Sequence, residues 1–144
     1  MSKRVLIATR LDETAKQILE RHGRYTVVQA AEPLPDLAKQ YPDTYALIVR
    51  SEKVTAEILD LFPALKVVIR AGSGFNTIDV KHARRKGIDV MTTPGANANA
   101  VAEEVVALML ADARHLVQAD ASLRAGKWEK SAFMGREISG RTLG

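Results

Sequence analysis

Short apolar runs rich in Val and Ile recur along the first two-thirds of the chain, at Arg4–Ala8, Tyr25–Gln29, Ala46–Val49, Lys66–Ile69 and Asp89–Met91. Each is nearly continuous in apolar character. Strands buried on both faces read this way, as in a parallel sheet. Helical patterns fill the intervals. Asp12 is placed to cap a helix carrying Ala15, Ile18 and Leu19 that ends near Gly23. Pro35–Gln40 gives a short helix, and Thr55 is placed to cap Ala56–Leu61 before Pro63. Asp79 is placed to cap Val80–Lys86, whose last turn is basic where the helix dipole favours cations, and Gly87 stops it.

Strands alternating with helices over this span predict an α/β fold. The expected form is a flavodoxin-like, doubly wound parallel sheet of order 2-1-3-4-5, because such crossovers are short and right-handed. Ligands of these sheets bind beyond the carboxyl ends of the strands. Arg50 follows Leu47-Ile48-Val49 and Arg70 follows Val67-Val68-Ile69, so both fall there.

The segment Arg70-Ala71-Gly72-Ser73-Gly74-Phe75-Asn76-Thr77-Ile78-Asp79 concentrates the chemistry. Glycines at 72 and 74 let backbone approach a ligand. Amide groups beside a guanidinium suit an anionic oxygen ligand. The spacing fails the dinucleotide fingerprint, whose third glycine would fall at Thr77. Two guanidinium groups on adjacent strand ends suit a carboxylate or phosphate. Ordinary strand-end arginines paired with surface acids fit the same spacing equally well. His22, His82 and His115 lie in separate helical segments with no second ligand at metal spacing, and read as surface or packing residues. Glu103-Glu104 reads as a pair of acids complementing the start of a helix. Trp128 and Phe133 read as packing anchors beside a charged loop.

Beyond Thr93-Pro94-Gly95 the pattern changes. One long helix is expected from Asn99 to about Val117, with Val101, Val105, Leu108 and Met109 on one stripe and Ala102, Val106 and Leu110 on another. A helix this apolar all round is expected to be buried by more than one neighbour. Ala119–Ala125 reads as a second helix ended by Gly126, Trp128–Gly144 as polar loop, and Arg141-Thr142-Leu143 as the beginning of a strand. The expected division is residues 1–96 and 97–144.

Composition narrows the classes. The 144 residues hold one domain, or one and part of another, and 47% hydrophobic content excludes a disordered chain. With no cysteine there is no disulfide framework or thiolate chemistry. The net charge of +4 is spread along the chain, with Arg84-Arg85-Lys86 the one tight cluster, and aromatics do not alternate with basic residues. That argues against a nucleic-acid face and suits a small anionic ligand. The apolar run after Met1-Ser2-Lys3-Arg4 is soon interrupted by Arg10, too short for a signal or membrane span, so a cytoplasmic protein is expected.

The Arg70–Asp79 run resembles the D-isomer-specific 2-hydroxyacid dehydrogenases. So do Gly87-Ile88-Asp89-Val90-Met91-Thr92-Thr93-Pro94 and Val101-Ala102-Glu103-Glu104. Val49-Arg50-Ser51, Gly126-Lys127-Trp128-Glu129-Lys130 and Phe133-Met134-Gly135 are most similar to the D-3-phosphoglycerate dehydrogenase branch. Gly140-Arg141-Thr142-Leu143-Gly144 resembles the lead into the family's first nucleotide-domain strand.

The resemblance implies a substrate domain in residues 1–96, then a connecting and dimerisation helix and the start of an NAD-binding Rossmann domain in 97–144. It implies oxidation of 3-phosphoglycerate with NAD, in the first step towards serine. Arg50, Ser51, Arg70, Ala71, Gly72, Ser73 and Gly74 would bind the substrate, with Ser73 also near the nicotinamide. The helices across 99–126 would support a homodimer or higher oligomer. The family's dinucleotide fingerprint and its catalytic Arg, Glu and His are expected beyond Gly144, so the 144 residues by themselves are expected to be inactive. Ala100 departs from the family's usual Ser or Thr before the Val-Ala-Glu step. Two alternatives stay within the family: a glycerate- or glyoxylate-type dehydrogenase, and a dimeric corepressor-like binding protein. A receiver domain is a third, but Ala8-Thr9-Arg10 offers no acidic pocket at the first strand end.

Overall fold

The structure is a computed structural model that describes residues 2–144. Five parallel strands form one sheet: β1 (Lys3–Ile7), β2 (Tyr25–Gln29), β3 (Thr44–Val49), β4 (Val67–Arg70) and β5 (Asp89–Thr92). Their order is β2-β1-β3-β4-β5, as the strand–helix alternation predicts. Between them run α1 (Glu13–Arg21), α2 (Leu34–Gln40), α3 (Ala56–Asp60) and α4 (Val80–Arg85). Strand β1 begins and ends one residue before its expected span. Strand β4 takes in Arg70, because that residue pairs with Val49 of β3.

Successive side chains of a strand point to opposite faces, and here both faces are apolar. Leu6 and Ala8, Leu47 and Val49, and Val68 pack on one side with Leu34, Leu37, Leu59, Phe62, Ala83 and Ile88. Val5 and Ile7, Ala46 and Ile48 pack on the other, where Leu11 and Leu19 join them. This two-sided burial is the physical reason the strands read as unbroken apolar runs. The edge strand β5 departs from it, with Met91 exposed.

The caps are mixed. Asp12 accepts from the Thr14 N–H at 2.9 Å and Asp79 from the His82 N–H at 2.9 Å, satisfying amide donors that a helix start leaves open. Thr55 occupies the cap position of α3, but its side chain makes no capping bond. Helices α3 and α4 are pinned together. Asp60 accepts from Lys86 Nζ at 2.7 Å and lies 2.9 Å from His82 Nε2.

The chain divides into two compact units, Met1–Ala96 and Asn97–Gly144. In the second, the two expected helices form, but the break between them falls before Leu116 rather than after Val117: α5 (Ala98–Ala113) and α6 (Leu116–Arg124). The break falls at His115, the one non-glycine residue with positive φ among the described residues (53°). Its cause is tertiary. The Ala113 carbonyl, which a continuous helix would use internally, accepts from the Arg136 N–H at 2.8 Å, and Arg136 Nη2 reaches Asp112 at 2.6 Å. Gly135 makes this approach feasible, since a Cβ there would stand 2.5 Å from the Ala113 oxygen. Because α5 starts at Ala98, Glu103 and Glu104 stand past its first turn rather than at its start. Val101, Val105, Val106, Leu108 and Leu110 of α5 are exposed rather than buried. Lys130–Phe133 forms a 3₁₀ turn. The expected strand at Arg141–Leu143 does not form, because an extended segment becomes a strand only when another pairs with it. Among the described residues, no helix is long and apolar enough to cross a membrane.

Two outcomes follow. Gly135→Ala forces a backbone contact apart and is expected to cost about 1–3 kcal/mol, read as a lower urea midpoint with faster amide exchange at Arg136. The Lys86 and His82 contacts hold the Asp60 carboxyl below its ordinary value of 3.8. A depressed carboxyl contributes stability above its unfolded pKa and loses it as pH falls through the folded value. Asp60→Asn is therefore expected to flatten the acid limb of a stability–pH curve and leave the alkaline limb in place, checked by thermal unfolding between pH 2 and pH 8.

Candidate functional site

The carboxyl ends of β3 and β4 place Arg50 and Arg70 side by side, as the spacing predicts. Their roles diverge. Arg50, one residue beyond β3, is exposed. Arg70, the last residue of β4, turns back over its own loop. Its Nε donates to the Arg50 carbonyl at 3.0 Å and its Nη1 to the Gly74 carbonyl at 2.8 Å. The guanidinium is thus a strut between the two strand-end loops.

The glycines are spaced to admit that strut. A Cβ at Gly72 would lie 3.2 Å from Arg70 Nη1, and one at Gly74 would lie 3.1 Å from the same atom. Both are tighter than ordinary side-chain contacts. Here the glycines serve a close approach by the protein's own arginine. Neither has a positive φ.

The carbonyls of this loop are tied down in turn. The Arg70 carbonyl accepts from the Gly72 N–H at 2.8 Å, a tight turn centred on Ala71. The Gly72 carbonyl accepts from the Thr93 N–H at 3.0 Å, just past β5, and the Gly74 carbonyl from Arg70. In a trans peptide the N–H points opposite to the C=O. The Ser73 and Phe75 amides therefore point away from β5 and from Arg70 respectively. Ser73 is itself exposed on the outer side of the loop. The turn does not open a helix: α4 begins at Val80, beyond a separate cap at Asp79. That geometry separates it from a dinucleotide turn, in which the helix N-terminus meets the pyrophosphate.

A bridge locks the neighbouring segments. The Val54 N–H donates to Thr77 at 2.8 Å, and the Asp79 N–H donates to Val54 at 2.9 Å. The loop after β3 and the loop after β4 are therefore one assembly. Thr77, where a fingerprint glycine would stand, supplies a carbonyl to that lock.

Sequence reasoning missed Glu52. Its Oε2 accepts from the Arg50 N–H at 2.7 Å and the Ser51 N–H at 3.0 Å. Burial pushes its carboxyl up, but the Arg50 N–H, its own N–H, the Thr9 hydroxyl and the Ser51 N–H outweigh this and hold it below its ordinary range. The Ser51 amide is thus turned to Glu52. The one available signal was an acid three residues past a strand end, and an acid in a strand-end loop is ordinarily a solvated surface residue. Thr9, buried just past β1, comes to Glu52 only through the β1–β3 pairing. Among the described residues, no group of three His, Cys, Asp or Glu side chains is placed to hold a metal ion. The second unit has its own concavity of about 470 Å³, lined in part by Met109, Asp112, Arg136 and Leu143.

Comparison with known proteins accounts for this arrangement. The family model for the D-isomer specific 2-hydroxyacid dehydrogenase catalytic domain matches residues 5–137. A hydroxypyruvate reductase of Thermotoga maritima is 45% identical over 98% of the chain, and the match covers 46% of that protein. A D-3-phosphoglycerate dehydrogenase of Archaeoglobus fulgidus is 39% identical over 98% of the chain and 27% of its own length. A crystal structure of a cofactor (NAD+) bound 3-phosphoglycerate dehydrogenase of Entamoeba histolytica superposes with a TM-score of 0.68 at 30% identity, covering 79% of this chain and 40% of that one. The chain thus spans less than half the length of these relatives. With a parallel sheet, a strut-backed glycine loop at its carboxyl edge and a family match over nearly every residue, the chain belongs to the D-isomer specific 2-hydroxyacid dehydrogenase family.

Proposed function

We propose that residues 1–96 form the substrate-binding domain of an NAD-dependent D-2-hydroxyacid dehydrogenase whose substrate is 3-phosphoglycerate. The observation that carries this reading is the Gly72–Gly74 loop at the carboxyl ends of the strands, with its Gly72 carbonyl held by Thr93, its Gly74 carbonyl held by Arg70, and the exposed Arg50 at the next strand end. Backbone N–H groups of a glycine loop suit a carboxylate, because they place partial positive charge against it without the desolvation of another full charge. Ala71 and Gly72 set the turn that presents them. Arg50, exposed at the next strand end, would hold the phosphate by paired N–H bonds. Ser51 would line the same edge. Arg70 would act on the substrate chiefly by fixing the loop.

NAD would supply the hydride acceptor for the substrate C2 carbon. In this chain only Ser73 is assigned a place beside the nicotinamide. The Gly72–Gly74 turn does not fit a pyrophosphate, since no helix begins there. The same reading gives the protein a role in serine formation and a place in the cytoplasm. A second reading, D-glycerate or hydroxypyruvate as substrate, is favoured by the Thermotoga maritima relative at 45% identity. It uses the same carboxylate loop and drops the phosphate contact.

The exposed apolar residues of α5 support a further part of the proposal, that two copies associate through the 99–126 helices.

Two measurements bear on this. Titration of the isotope-labelled chain with 3-phosphoglycerate and with D-glycerate is expected to shift the amide signals of Gly72–Phe75 for both ligands. Arg50→Ala is expected to weaken 3-phosphoglycerate about tenfold, the loss of roughly one charge-assisted contact, and to leave D-glycerate unchanged. Equal affinity for the two ligands before mutation would move the assignment to the second reading. Light scattering at micromolar concentration is expected to give a dimer or larger species, and a clean monomer would contradict association through α5.

A further inference from the structure

Glu52 has no part in the proposed chemistry, yet it is bound by more donors than any other carboxylate near the loop. Thr9 Oγ1, the N–H groups of Arg50 and Ser51 and its own N–H all reach it. We propose that Glu52 is a positioning residue that holds the substrate-anion loop in shape through Arg70. This inference rests on the reading of that loop as the substrate site.

The geometry is a continuous chain of bonds. The peptide joining Arg50 to Ser51 is gripped at both ends. Its N–H, on Ser51, donates to Glu52 Oε2 at 3.0 Å. Its C=O, on Arg50, accepts from Arg70 Nε at 3.0 Å. A carboxylate on the N–H side polarises an amide and strengthens its carbonyl as an acceptor, so the two bonds reinforce each other. Arg70 then passes the constraint on through Nη1 to the Gly74 carbonyl at 2.8 Å. Two separate stretches of sequence, residues 50–52 and 70–74, are thus tied into one loop assembly. The lock between Val54 and Thr77 and Asp79 holds the flanks but touches neither the Arg50 peptide nor Gly74.

Plain electrostatics and positioning predict opposite signs. A carboxylate beside an anion site repels the anion, so its removal should tighten binding. If Glu52 instead holds Arg70 in place, its removal frees the Arg50–Ser51 peptide, Arg70 leaves Gly74, and binding weakens. Glu57, an acid on α3 with a fully exposed carboxyl, provides a control of equal charge.

The test uses the isotope-labelled 144-residue chain, with Glu52→Gln, Glu52→Ala and Glu57→Gln. Two quantities are read: solvent exchange of the Arg70 Nε–H and affinity for 3-phosphoglycerate. Glu52→Gln preserves shape and one acceptor, so it carries the test if the alanine variant does not fold. The expected result is at least tenfold faster exchange at Arg70 Nε–H and about tenfold weaker binding in the Glu52 variants, with Glu57→Gln unchanged. Unchanged exchange at Arg70 Nε–H, or binding that is unchanged or tighter in Glu52→Gln, overturns the proposal. If the parent chain binds no 3-phosphoglycerate but Glu52→Gln still speeds the Arg70 exchange, the strut is supported and the substrate reading is the part that fails.

Discussion

A parallel strand cannot turn straight back into its neighbour, and that constraint organises the first unit. Each connection must carry the chain across to the other edge, so every strand delivers its carboxyl end to the same side. Thr9, the Arg50–Glu52 segment and Arg70 are far apart in sequence and belong to three strand ends. They meet because β1, β3 and β4 are adjacent and point the same way. The apolar burial on both faces stabilises this sheet, and the strand-end loops are free of that duty. Polar groups can therefore collect there without disturbing the core.

What collects there is backbone held by a few charged side chains. Arg70 uses two of its donors on carbonyls, and Glu52 gathers amide donors. The two glycines at 72 and 74 are the room Arg70 needs, which is a different use from the one suggested by their resemblance to a dinucleotide turn. The site is thus built as an oriented set of peptide dipoles. On the proposed reading, its selectivity would come from which N–H groups the loop presents. The exposed Arg50 would add a point of attachment outside that set.

Much of the first unit was legible from residues alone. Continuous Val- and Ile-rich runs located all five strands to within two residues, because two-sided burial leaves no polar positions. Asp12 and Asp79 announced helix starts through a local bond that needs no tertiary partner. Thr55 did not, since a capping residue type does not oblige the side chain to turn inward. The family resemblance was legible because its motifs lie at the strand ends and turns, where backbone geometry restricts the choice of residue.

The second unit shows the opposite case. Nothing between Ala98 and Val117 breaks a helix by composition, yet the helix stops at Ala113, because Arg136 takes the carbonyl there and Gly135 lets it come close. The same holds at the site. Local sequence determined the strands, the helix starts and the presence of two arginines at neighbouring strand ends, because those depend on burial periodicity and on bonds spanning three residues or fewer. Tertiary structure alone decided that Arg70 reaches the Arg50 carbonyl, that Glu52 joins Thr9, and that α5 ends where it does. Those outcomes depend on which distant backbone groups the folded chain brings within hydrogen-bond reach, and no window of sequence contains both partners.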